Sequence, residues 1–229
     1  MNDILQTAYG GALSAQRNRV LRNTYWLLAL SMVPTVLGAW LGVAMGFAGF
    51  TGRPFIDFML FMGLAFGFFY AIERTKNSGW GVALLLGFTF FMGLMLSRLI
   101  GAVLGSYSNG ASLIMTAFGG TGLVFAGMAT MASTIKRDLS GMGRWLFAGL
   151  LVVLVAGVAN IWLQMPALFL TVSVICVALF SAYLLYDLKR VIDGGETNYV
   201  TATLAVYLDV YNIFTSLLSL LGFLGGERE

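Results

Sequence analysis

The sequence predicts an all-α polytopic membrane protein with seven transmembrane helices. Three observations lead there. The chain is 59% hydrophobic and only 10% charged, against roughly 25% charged residues in a soluble domain. Its mean hydropathy is +0.87. Its apolar residues gather into seven runs near 25–50, 55–72, 79–104, 111–134, 144–165, 167–187 and 199–224, each close to the ~20 residues that a helix needs to cross a bilayer.

The basic residues give the order of the runs a direction. With the N-terminus inside, the inner segments hold Arg17, Arg19, Arg22, Arg74, Lys76, Lys136, Arg137, Arg144, Lys189 and Arg190, while the outer side holds Arg53, Arg98 and Arg228. Positive charge favours the cytoplasmic side, so the N-terminus is expected inside and the C-terminus outside. Trp26, Trp80 and Trp145 each open a run on the inner side, as an interfacial aromatic belt does. The basic pI of 9.1 follows from this topology rather than from a nucleic-acid patch.

In chain order, residues 1–24 are expected to form a polar cytoplasmic arm, mobile or lying as an interfacial helix. The first run has no small-residue cleavage site after it and is read as a retained signal anchor. The second run is the shortest. The fifth and sixth are separated only by Gln164-Met165-Pro166. Proline disfavours helical geometry in the residue before it, so this is a tight hairpin between two spans. The helical domain is expected over 25–224, with a short polar tail at 225–229. Glycines spaced by four (Gly38, Gly42 and Gly46; Gly63 and Gly67; Gly101 and Gly105) are expected to let helices pack closely within the molecule. Cys176 is read as a small core residue.

Several chemistries are excluded. The chain contains no histidine, which removes histidine-dependent hydrolysis and histidine metal sites. Gly119-Gly120-Thr121-Gly122 lies inside an apolar run with no lysine after it, so it is no phosphate loop. The Gly-Xaa-Gly-Asp context of intramembrane aspartyl proteases is absent, since Asp209 follows Tyr207-Leu208. No enzyme and no cofactor are expected.

The polar residues within the runs carry the functional signal. Asp187 ends the sixth run and Asp209 sits inside the seventh. A carboxylate in hydrocarbon is costly and marks a candidate functional site. Asp209, Asn212, Ser216 and Ser219 are spaced three, four and three apart and form one stripe of a helix. Such a stripe faces protein or water, not lipid, so the seventh helix is expected to line the bundle interior. The hydroxyls alone also fit plain interhelical hydrogen bonding. Tyr183 shares a face with Asp187, and Asp187 alternatively pairs with Lys189 or Arg190 as an interfacial acid. Asp193-Gly194-Gly195-Glu196 breaks the helix, and Thr197 or Asn198 is placed to cap the next one. Asn160 and Gln164 read as helix glue. Arg98 reads as snorkelling outward or as an outer counter-charge, and Glu73 as solvated.

The two aspartates are not level. Counted from the Gly194-Gly195 turn, Asp209 lies about six residues, or roughly 9 Å, deeper than Asp187. If tilt or an uneven turn brings them together, they share a proton, because two close carboxylates do not both ionise cheaply. Losing that proton pushes the helices apart and leaves a cation site. With Asn212 they supply too few oxygens for tight calcium binding, but enough for a weak transit site.

The stretches Val158-Ala-Asn-Ile-Trp-Leu-Gln-Met-Pro-Ala167, Tyr186-Asp187, Gly194-Gly-Glu-Thr-Asn-Tyr199 and Tyr207-Leu-Asp-Val-Tyr-Asn-Ile-Phe214 resemble the Bax inhibitor-1 family, closest to its bacterial YccA-like branch. The resemblance runs from Leu21-Arg-Asn-Thr-Tyr25 to Leu218-Ser-Leu-Leu-Gly222. It implies a seven-helix fold with the last helix central among the other six, in a bacterial inner membrane. Channel-like members gate a calcium leak with two aspartates on helices six and seven, which fall here on Asp187 and Asp209. The YccA-like branch is associated instead with binding the membrane AAA protease FtsH and restraining degradation of membrane proteins. The expected function is therefore a pH-sensitive cation leak, with Tyr183, Asn212, Ser216 and Ser219 supporting the pair. The alternative is a protease modulator.

Overall fold

The computed structural model describes the backbone of residues 2–227 and the side chains of residues 15–227; Arg228 of the outer charge set lies outside the described residues. Among these residues the chain forms seven α-helices and no strand: α1 (Asn2–Ala44), α2 (Pro54–Thr75), α3 (Gly79–Ser106), α4 (Gly110–Thr134), α5 (Met142–Leu163), α6 (Pro166–Ile192) and α7 (Tyr199–Gly225). Each has a stretch long and apolar enough to cross a membrane. In α1 that stretch is Ala15–Ala44, so it begins ahead of Tyr25. Buried Val20 packs there against Val191 and Ala202, which ties the arginine-bearing part of α1 to α6 and α7. At its other end α1 stops at Ala44, short of residue 50.

Local chemistry sets the breaks. Pro54 and Pro166 stand in the first turns of α2 and α6, where a missing N–H costs nothing. Gln164 takes a left-handed conformation and closes α5 by donating its N–H to Asn160 O. The Asn160 side chain accepts the Met165 N–H at 3.0 Å. The hairpin is thus as tight as its sequence predicts, and Asn160 glues its own turn.

The helix α7 packs against α1, α2, α3, α4 and α6, whereas α5 joins the bundle through α6. Around α7 the core is filled by Ile72, Leu85, Phe88, Leu184, Leu188, Val206, Tyr207 and Ile213, all fully buried. The closest crossing is between α1 and α3. A Cβ on Gly38 would run into the Phe90 carbonyl, and one on Gly93 into the Thr35 carbonyl. Only the absence of side chains lets these backbones touch. The spacing-of-four expectation holds for Gly38 and Gly42, which faces Ser97. It does not hold for Gly46, Gly63, Gly67, Gly101 and Gly105, around which a Cβ would meet nothing within 4 Å.

The two ends of the bundle are each stitched. At the near end, where α1 enters, the α6–α7 loop bonds to the α2–α3 loop. At the far end, Asn109 Nδ2 donates to Gly225 O at 2.8 Å and Ser108 N–H to Glu227 O at 3.0 Å. These pairings fit a chain that crosses seven times and alternates ends.

Candidate functional site

The site is built on α6 and α7 and on the loop that joins them. Lys189 pairs with Asp193 at 2.8 Å in the last turn of α6. Gly194 then adopts φ +82°, a conformation that glycine takes at little cost, and the Gly195 N–H returns to Arg190 O at 2.8 Å. Glu196 pairs with Arg190 at 3.3 Å and accepts the Asn198 N–H at 3.0 Å.

Asn198 is the cap of α7. Its Oδ1 accepts the N–H groups of Val200 and Thr201 at 2.9 and 3.3 Å. Its Nδ2 donates to Lys76 O at 3.1 Å and to Asn77 Oδ1 at 2.9 Å. One side chain thus starts the helix that carries Asp209 and fixes it to the α2–α3 loop.

The carboxyl groups of Asp187 and Asp209 lie within hydrogen-bonding reach of each other. Asp187 stands five residues before the end of α6 and Asp209 ten residues after the start of α7. At 1.5 Å per residue those depths are about 7.5 and 15 Å. Side-chain direction narrows the gap. Every helical Cβ leans toward the N-terminus of its own helix. In these antiparallel helices Asp187 leans deeper into the bundle, and Asp209 leans back toward the loop.

Asp209 is only 4% exposed, while Asp187 is partly buried. Among the described residues no donor reaches Asp209 Oδ2. Its neighbour is another carboxyl, and two carboxyls form a hydrogen bond only with a proton between them. An arrangement of this kind has room for a proton between the two carboxyls but no other donor for Asp209 Oδ2 among the described residues. Tyr183 lies within electrostatic reach of both acids, and Arg190 and Glu196 within reach of Asp187.

The rest of the predicted stripe divides. Ser216 is buried beside Cys176 of α6. Asn212 Nδ2 donates to Leu208 O at 2.7 Å and Ser219 Oγ to Thr215 O at 2.7 Å. Both are satisfied by their own helix rather than by the aspartates. Among the described residues no group of three or more Asp, Glu, Cys or His side chains is arranged to hold a metal ion; the pair offers two carboxylates.

Two features escaped the sequence reading. Thr203, Tyr207 and Tyr211 form a second polar stripe on α7. The Tyr207 hydroxyl meets Thr35 Oγ1 at 2.9 Å, Tyr211 donates to Met92 O at 3.2 Å, and Thr203 to Tyr199 O at 2.7 Å. Their spacing of four was the available signal. At the far end, Asp57 is buried in the first turn of α2. Its Oδ1 accepts the N–H and hydroxyl of Thr51, both at 2.8 Å, and its Oδ2 lies 3.7 Å from Arg98 Nη1. Arg98 is thus a counter-charge to an acid at its own end.

The sequence comparisons cover nearly the whole chain. The chain is 35% identical over 225 residues to the modulator of FtsH protease YccA of Escherichia coli K12, covering 97% of this chain and 98% of that protein. It is 35% identical over 215 residues to an uncharacterized membrane protein of Vibrio cholerae, covering 93% and 92%. It is 36% identical over 218 residues to an uncharacterized protein of Neisseria meningitidis serogroup A, covering 94% and 96%. The family described as inhibitor of apoptosis-promoting Bax1 matches residues 17–226. Since that match runs from the start of the first span to the end of α7, the chain belongs to the Bax inhibitor-1 family.

Proposed function

We propose that this protein is a multi-pass inner-membrane modulator of an FtsH-type membrane AAA protease. The observation that carries the reading is the 35% identity across 97% of the chain to a protein named for that role. It takes no catalytic chemistry from the chain, only a surface that the protease recognises. With the N-terminus inside, the near end faces the cytoplasm and holds the two loops joined by Asn198. The test is co-purification of the full chain with the protease, together with the turnover of a membrane substrate in cells that contain or lack the chain. Slower turnover with association supports the proposal. Deleting residues 2–14, which leaves the Ala15–Ala44 span and buried Val20 in place, asks whether the start of α1 makes the contact.

A second reading is favoured by one specific contact, that of Asp187 with Asp209. A proton shared across α6 and α7 makes their packing dependent on pH. Separation of the two helices would open an acid-lined path for calcium or another cation. Calcium flux into liposomes between pH 6 and 8 tests it; no flux at any pH removes the leak and leaves the modulator.

A further inference from the structure

The tryptophans locate the bilayer on this bundle. Trp26, Trp80 and Trp145 are exposed near the near end, and Trp40 and Trp162 near the far end. Along α1 and α5 the two belts are separated by 14 and 17 residues, about 21 and 26 Å of helix. Arg98 is 18 residues beyond Trp80 on the unbroken α3, about 27 Å along it. That places its guanidinium at the headgroup level of the far leaflet.

An open cleft of about 370 Å³ lies at that level between α1 and α3. Gly42, Gly46 and Gly101 line it, beside apolar Val43 and Phe47, and Arg98 forms part of its wall. The guanidinium is half-exposed. Among the described residues its charged partner is Asp57, at 3.7 Å, beyond hydrogen-bonding distance. A guanidinium offers five N–H donors in a fork that matches phosphate oxygens. A phosphate-bearing headgroup supplies that match at this depth, and the apolar side of the cleft takes the start of an acyl chain.

We propose that the cleft between the far ends of α1 and α3 binds an anionic phospholipid, with its phosphate on Arg98. Of the cleft's glycines, Gly46 and Gly101 face open space, while Gly42 is packed against Ser97. A Cβ on Gly101 would meet nothing within 4 Å, so a larger side chain there fills the cleft without striking backbone.

The test titrates the purified full chain in phosphatidylcholine nanodiscs with dioleoyl phosphatidylglycerol and counts retained lipid by native mass spectrometry. Wild type retains one phosphatidylglycerol. Gly101→Leu and Arg98→Gln each weaken retention about tenfold, the scale of one charge-assisted contact, and Arg98→Lys restores part of it. Gly101→Leu keeps the Arg98–Asp57 pair, so its loss is not a loss of that pair. Retention by Gly101→Leu equal to wild type overturns the proposal. So does displacement of the lipid by excess inorganic phosphate, which would mark a site for a free ion.

Discussion

The Tyr207 hydroxyl lies 2.9 Å from Thr35 Oγ1 and joins the central helix to α1 at the fully buried heart of the bundle. Thr35 also donates to Ser31 O at 2.8 Å, so its oxygen keeps a partner when the tyrosine is changed. The Tyr207 hydroxyl also reaches Thr89 O at 3.4 Å, so Tyr207→Phe loses its interhelical hydrogen bonding to both α1 and α3 and costs about 0.6–1 kcal/mol. Tyr207→Ala also opens a cavity and costs about 3–5 kcal/mol, as deletion of a buried aromatic does. Reversible unfolding in mixed micelles measures both. Equal losses for the two variants would assign the contribution to the hydroxyl instead of the ring.

The aspartate pair predicts a pH response confined to two residues. Two unit charges 4 Å apart repel by about 4 kcal/mol at an effective dielectric near 20, which shifts a two-state packing equilibrium about a thousandfold. Between pH 6 and 8, crosslinking or spin-label distances across α6 and α7 should change in wild type and stay constant in Asp187→Asn and Asp209→Asn. Asp138 provides the control. It lies in the α4–α5 loop, where the Ser140 N–H and hydroxyl bond to its carboxylate at 2.8 and 2.9 Å and hold it below the ordinary value of 3.8. A lowered folded-state value adds stability above the ordinary one and loses it only as pH falls through the folded one. Asp138→Asn should thus leave the profile from pH 6 to 8 unchanged. A response in wild type that persists in both pair variants would falsify the shared-proton switch.

The fold was legible because a span needs about 20 apolar residues and few other sequences supply them seven times. The start of α1 was harder, since Arg17, Arg19 and Arg22 sit on a helix that continues past them. The aspartates stood out because carboxylates are rare in such runs. Their contact did not, because depth counted along the axis ignores the lean of each side chain. The role of the Tyr207 hydroxyl is not legible in its own run, because only its partner Thr35, far away in sequence, reveals it. Asp57 stands in the first turn of α2, three residues after Pro54. Its burial depends on Thr51 folding back over it, and no periodicity announces a loop contact.

Glycine position now separates two kinds of variant. Gly93→Ala places a Cβ against the Thr35 carbonyl, so α1 and α3 are forced apart at a cost of about 1–3 kcal/mol. Gly63→Ala points into open space and gains about 0.5–1 kcal/mol from helix propensity. Thermal unfolding of the two purified variants checks the sign. A Gly93→Ala protein as stable as wild type would show that this crossing tolerates wider spacing.

Asn198 performs two tasks that substitution can divide. As an acceptor it caps α7, and as a donor it bridges to Lys76 O and Asn77 Oδ1. Asn198→Ala loses both and should cost about 0.5–2 kcal/mol from the cap alone. Asn198→Asp keeps the acceptor and adds negative charge at a helix N-terminus, which is favourable, but it cannot donate to the α2–α3 loop. It should therefore hold stability near wild type while freeing that loop. Amide exchange across residues 76–78 reads the difference. Faster exchange there in Asn198→Asp, with α7 still protected, locates the bridge in the Nδ2 donor; unchanged exchange would mean that the two loops are held together by other contacts.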